Sequence, residues 1–236
     1  PLPSTVMAFV LALLAAVVYG LGWGNGLVFD DDRLTDGTIF QNYGGLWPVK
    51  QRLLSFGSFV WVDQLAPGFL PLQRAVNLVL HLASAWVVYR LMRALMLRIE
   101  APDARPANEL NPAQQASLSV GMALFVLSPA AVYAVGYLVQ RSIVMASLFS
   151  ALACLAFVNG LQASGGARWR WLLGAAAAFV LAVLSKEQAF LLAALSVPLY
   201  VFVVRPGWRK TLGVVVGALI ASLLAVGLLM VFYPNL

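Results

Sequence analysis

Acids are the scarcest charge in this chain: nine Asp and Glu among 236 residues, beside one cysteine and one histidine. The single Cys154 lies in an apolar run, which excludes a disulfide framework and a cysteine-based metal site. One histidine excludes the paired-histidine zinc motif, and neither a phosphate-cradling glycine loop nor a nucleophile elbow is present. No internal repeat or low-complexity segment appears. Only 10% of residues are charged, against about 25% in soluble domains. With 62% hydrophobic residues and a mean hydropathy of +0.88, this is the composition of an integral membrane protein. The net charge of +6 and pI near 9.8 could suggest nucleic acid. The basic residues, however, are singles and pairs between apolar segments and form no stripe, so they read as loop charge and no nucleic-acid partner is expected.

A spanning helix needs about 20 mostly apolar residues. Windows at 4–23, 69–96, 114–136, 142–163, 171–185, 188–204 and 211–233 fit, giving an all-α polytopic protein of about seven spans in a single membrane domain. The chain begins at Pro1 without an initiator Met, and the first window lacks a basic n-region, so it reads as an anchor and not a cleaved signal. As one helix, Trp171–Val204 would extend about 51 Å, far beyond a hydrocarbon core of about 30 Å. It therefore reads as two short helices folded back at "SKEQ", Ser185–Gln188.

Seven spans put Arg90, Arg93, Arg98, Arg105, Arg168, Arg170, Arg205, Arg209 and Lys210 in short loops on one side, nine of the fifteen basic residues. That side is then cytoplasmic, with the N-terminus, and Leu236 is outside. Arg33, Lys50, Arg52, Arg74, Arg141 and Lys186 fall on the outer side. So do Asp30, Asp31, Asp32, Asp36, Asp63 and Glu187. The first outer loop, 24–68, is the only long one. Within it Pro48 marks a helix start, and Trp47, Phe56, Phe59 and Trp61 suggest a helix lying in the membrane interface, aromatic face down.

Four constellations carry candidate chemistry. "DDDR" places Asp30, Asp31 and Asp32 in mutual repulsion. That is more than a helix cap needs, and it suits a general base or an oxygen-liganded divalent cation. Gln140 and Arg141 sit between two uncharged stretches, where an ionisable group faces a cavity or partner; a lipid phosphate is one such partner, a snorkelling arginine the plainer reading. Lys186 and Glu187 form either a functional pair or a hydrated turn. Arg74, Asn77 and His81 at i, i+3 and i+7 make one polar stripe on an apolar helix, where a lone histidine is more often hydrogen-bonded than metal-bound. The expected picture is an aspartate cluster facing an outer cavity, answered across it by Arg141 and Lys186.

Taken in order, Phe29-Asp30-Asp31, Arg52-Leu53-Leu54-Ser55-Phe56, Arg74/Asn77/His81, Tyr137/Gln140/Arg141/Ser142 and Lys186-Glu187 resemble the GT-C superfamily of membrane glycosyltransferases. The likeness is to bacterial relatives of the transmembrane-and-TPR O-mannosyltransferases. It implies a polyprenyl-phosphate-sugar donor, an extracytoplasmic protein or glycan acceptor and a bacterial inner-membrane location. It also implies Asp30 or Asp31 as catalytic base or metal ligand, with Arg141, Lys186, Gln140, Arg74 and Arg52 on the lipid phosphate or donor. Asp32, Glu187, Asn77, His81 and Tyr137 would complete the polar cavity. The chain departs from that pattern at Ser128, where the relatives carry His, and at Tyr133, where they carry Glu. It also ends just after a span, which suggests a longer gene product. Two other classes stay open: a non-catalytic subunit of the same kind that binds lipid-linked sugar or scaffolds a complex, and a lipid or solute transporter.

Overall fold

In the computed structural model, which describes residues 4–99 and 109–232, the chain is helical, with no strand among those residues. Pro1, Arg105, Tyr233 and Leu236 lie outside them. The α-helices are α1 (Ser4–Gly20), α2 (Thr38–Asn42), α3 (Leu53–Leu65), α4 (Leu70–Ile99), α5 (Pro112–Leu127), α6 (Pro129–Gly136), α7 (Arg141–Gln162), α8 (Gly165–Ser185), α9 (Ser196–Val204) and α10 (Trp208–Phe232). Short 3-10 helices occupy Phe29–Leu34, Leu138–Gln140 and Glu187–Leu195.

Four helical segments are long and apolar enough to cross a membrane: Leu70–Ile99, Leu138–Gln162, Gly165–Ser185 and Glu187–Val204. A fifth is counted if α5 and α6 act as one span, bent by 49°. The bend has a local cause. Pro129 has no N–H to continue the ladder, and the Ser128 hydroxyl accepts from the Ala130 amide instead, at 3.3 Å. α1 is apolar but shorter.

Two boundaries differ from the hydropathy reading. α8 begins at Gly165, not at residue 171, so Arg168 and Arg170 lie on its first turns and not in a loop. Gly165 adopts φ 56° there, a conformation glycine takes without penalty. Pro48 does not start a helix; α3 begins five residues later at Leu53. Nor does α3 turn its aromatics outward. Phe56 and Phe59 are buried in the protein with Leu34, Ile39, Tyr137 and Leu138, while Trp47 stays 84% exposed in the preceding segment.

The chain reverses at Lys186, whose extended backbone (φ −156°, ψ 128°) ends α8. The Ser185 carbonyl there accepts from the Ser55 hydroxyl at 2.9 Å, docking the α8 end on α3. α9 finishes at the opposite end of the bundle, where Arg205 reaches the Arg98 carbonyl of α4. Between the ends, Leu91, Cys154, Val158 and Val203 form one apolar cluster from α4, α7 and α9. Among lipid tails such contacts gain little from the hydrophobic effect. Close packing and interhelical hydrogen bonds do more of the work, and both are concentrated toward the Ser55 end.

Candidate functional site

The aspartate triplet is split by the helix that carries it. In a 3-10 helix, residues i and i+3 share a face; Asp31 and Leu34 turn inward, while Asp30 and Asp32 remain exposed. Asp31 is 1% exposed. Its Oδ1 accepts from the Val139 amide at 2.9 Å and its Oδ2 from the Leu138 amide at 3.3 Å. Burial, opposed by those amides, holds its carboxyl above the ordinary aspartate range. The Asp30 amide donates to the Tyr137 hydroxyl at 2.9 Å, leaving the Asp30 carboxylate outside. Phe29, at φ 51°, makes the turn that produces this division.

Arg141 does not answer the aspartates. It is fully buried, and its donors are all directed to neutral oxygens. Nε donates to Asn77 Oδ1 at 2.6 Å, Nη1 to Ser58 Oγ at 3.2 Å, and Nη2 to the Gln73 carbonyl and Oε1 at 2.8 and 2.7 Å. Its guanidinium lies 3.7 Å from the centre of the Phe59 ring. Asn77 in turn donates to the carbonyls of Val135 and Leu138. The α4 stripe thus serves three neighbours in succession. Arg74 donates to the carbonyls of Trp23, Asn25 and Gly26 and ties down the chain leaving α1. Asn77 holds Arg141. His81 stacks on Phe125, centroids 5.3 Å apart, with Nε2 3.2 Å from the Val126 carbonyl.

The accessible charges gather at the α8 reversal. Arg52 forms a two-pronged pair with Glu187, Nε to Oε2 at 3.1 Å and Nη2 to Oε1 at 2.7 Å. It is the only salt bridge among the described residues. Glu187 holds the guanidinium above its ordinary value, burial opposes, and the fields of Tyr43 and Asp30 add to the rise. Lys186 is half-buried beside this pair, and its ammonium makes no hydrogen bond among the described residues. Burial first, and then the Arg52 charge, pull it below its ordinary value. Arg52 sits at φ 57°, an uncommon conformation for a residue with a Cβ.

Compared with known protein families, with characterised proteins and with solved structures, the chain matches none of them. The reading of this end of the molecule rests on its geometry.

That geometry does not suit a resident metal ion. Asp31 has committed both oxygens to backbone amides, and no group of three or more His, Cys, Asp or Glu among the described residues is placed to hold a cation. Of the exposed carboxylates at this end, Asp30 lies within electrostatic reach of Arg52, which in turn acts on Lys186. Beside it a cavity of about 460 Å³ is lined by Trp23, Phe29, Arg74, Tyr133 and Tyr137, among others. Gln140 donates to the Tyr133 hydroxyl at 3.0 Å, so the two positions flanking the Arg141 network are already satisfied by each other. Sequence reasoning missed Gln73 and Ser58, and gave Ser55 no role beyond its place in the Arg52–Phe56 motif. All three are polar residues on apolar helices at or near turns already singled out, and that was the available signal.

Proposed function

We propose that this chain is a GT-C-like glycosyltransferase of about seven spans. It transfers a sugar from a polyprenyl-phosphate donor to a protein or glycan hydroxyl on the extracytoplasmic side of a bacterial inner membrane, with the N-terminus cytoplasmic. The observation that carries the reading is the exposed Asp30 carboxylate held at the same end of the bundle as Lys186 and the Arg52–Glu187 pair.

The acceptor oxygen attacks the anomeric carbon of the sugar while the bond from that carbon to the phosphate oxygen breaks. Asp30 takes the acceptor proton. The polyprenyl phosphate departs with an added negative charge, which Lys186 meets directly. Arg52 contributes field from its position against Glu187. Asp31 has a different part: by gripping the Leu138 and Val139 amides it fixes the loop that presents Asp30. Arg141 supports the same region from inside. Contact with a lipid phosphate would require its present network to open.

A second reading has its own support. Ser128 and Tyr133 stand where the resembled enzymes carry His and Glu. Here the Ser128 hydroxyl caps α6, and Tyr133 accepts from Gln140 and packs edge-on against Tyr137. A non-catalytic subunit that binds the lipid-linked sugar needs neither group. The deciding experiment follows sugar transfer from polyprenyl-phosphate sugars by the full gene product in membranes, beside Asp30→Asn, Asp31→Asn and Lys186→Ala. Turnover by wild type that Asp30→Asn abolishes, with donor binding kept, sustains the enzyme. Donor binding without turnover, for every sugar and acceptor tried, leaves the subunit.

A further inference from the structure

The cavity of about 460 Å³ beside Asp30 has one wall made of aromatic rings. Phe29 and Tyr133 flank Tyr137 in a row, their centroids 5.8 and 5.4 Å from that of Tyr137. Tyr137 is buried and anchors the row to the fold, while Phe29 and Tyr133 are 79% and 55% exposed. Gln140 donates to the Tyr133 hydroxyl, which sets that ring and, among the described residues, leaves its own proton free to donate. Phe29 is placed at a cost. Its φ of 51° is an outlier for a bulky residue, and with the ring largely exposed, packing within the protein returns little for it.

Exposed aromatic rings are ordinary at a membrane boundary; these also wall a cavity, and that cavity adjoins the proposed base. Asp30 follows Phe29 in the chain, and its amide donates to the Tyr137 hydroxyl at 2.9 Å. The Asp30 charge also reaches Arg52, so Asp30 links the cavity to Arg52 and Lys186. In the sugar-transfer reading those two cations receive the departing phosphate, and the incoming hydroxyl attacks from the opposite face of the anomeric carbon. The cavity is the space left for the acceptor that carries it.

The lining selects among acceptors. An extended peptide docks through backbone hydrogen bonds, and the Trp23, Asn25 and Gly26 carbonyls bordering the cavity already accept from Arg74. A carbohydrate presents a different profile. One face of its ring carries C–H groups with partial positive charge, which suits the negative face of an aromatic ring. Its hydroxyls lie at the edge, where a mostly apolar pocket needs only a few polar groups to orient it.

We infer that this cavity is the acceptor subsite and that the acceptor is a carbohydrate, its ring stacked on Phe29 and Tyr133 with one hydroxyl at Asp30. This assignment rests on the sugar-transfer reading and names the acceptor class within it.

The test measures binding and transfer separately, on the full chain in phosphatidylcholine nanodiscs. Neutral trisaccharides of glucose, galactose, mannose and N-acetylglucosamine are titrated by ligand-observed NMR. Each is then offered as acceptor, beside a serine- and threonine-rich peptide, with polyprenyl-phosphate sugars as donors. At least one trisaccharide is expected to bind, and Phe29→Ala and Tyr133→Ala are each expected to weaken it by about five- to tenfold. Phe29→Trp should keep the binding, which separates a lost ring from a failure to fold. Trp169→Ala, exposed at the far end of α8, should change nothing. In transfer, the two alanine variants should raise KM for the trisaccharide and leave KM for the donor. Binding by no trisaccharide, or equal binding by wild type and both alanine variants, overturns the inference. Transfer to the peptide alone also overturns it, while sustaining the enzyme. Ring-dependent binding without turnover of any donor keeps the carbohydrate site and overturns the transfer reading on which its role as acceptor subsite rests.

Discussion

The Arg141 guanidinium lies 3.7 Å above the Phe59 ring, fully buried, with neutral oxygens and no carboxylate around its donors. A cation held this way is stable only while the whole arrangement stands, since each surrounding oxygen is oriented toward it. Arg141→Ala should cost about 3–5 kcal/mol, because it strands Asn77 Oδ1 and Gln73 Oε1. Arg141→Lys should rescue little, having one compact head where a planar fork is required. Phe59→Leu keeps the hydrogen bonds and should cost about 2 kcal/mol. Unfolding in detergent ranks the three; an Arg141→Ala variant as stable as wild type would remove the basis for this account.

Asp31→Asn replaces one acceptor oxygen with an NH₂ group that must face a backbone N–H. A loss of about 1–3 kcal/mol is expected, with faster hydrogen exchange at the Leu138 and Val139 amides. Unchanged exchange at both would show that the carboxylate is not the clamp.

Asp31 also sets a pH dependence. Its folded carboxyl titrates above the ordinary value because of burial, so the fold favours the protonated form. Its contribution is complete below the unfolded value, about 3.9. It declines as pH rises from there through the raised folded value. Thermal stability in detergent should fall over that interval, and Asp31→Asn should flatten the fall. An equal slope in the variant would assign the titration to another group.

The Arg52–Glu187 pair is partly open to solvent, with side-chain exposures of 27% and 18%. A double-mutant cycle with Arg52→Ala and Glu187→Ala should therefore show a coupling of about 1 kcal/mol. Glu187→Gln should also free Arg52 and tighten donor binding, read as a lower dissociation constant for polyprenyl-phosphate sugar. Weaker binding would mean that Glu187 itself touches the donor.

At Gly160 α7 lies close against α8. A Cβ there would meet Leu172 Cδ2 at 2.9 Å and Trp171 Cβ at 3.3 Å. Gly160→Ala should destabilise by about 1–3 kcal/mol through overpacking, and Leu172→Ala should recover part of that loss.

Composition and apolar run length were enough to establish a helical membrane protein, because continuous apolar runs of about 20 residues satisfy their backbone in lipid as helices. The break at Lys186 was legible for the same reason: 34 residues of helix do not fit one bilayer. Helix starts were less legible. Arg168 and Arg170 read as a loop because they are charged, yet arginine is a good helix former and extends α8 into the interface.

The residue types at the candidate site were visible from the start, since polar groups on apolar segments are few enough to list. Their partners were not. Opposite charge suggested that Asp31 faced Arg141, but a carboxylate is satisfied equally by backbone amides, and a guanidinium by amide oxygens and an aromatic face. Which of these it meets depends on how the short 3-10 helices, α3 and α4 converge from distant parts of the chain. The sequence by itself determined that acids and bases would share one end of a helical bundle. Only the tertiary structure decided that Asp31 and Arg141 are buried supports while Asp30 and Lys186 stay accessible, because burial is a property of packing and not of residue type.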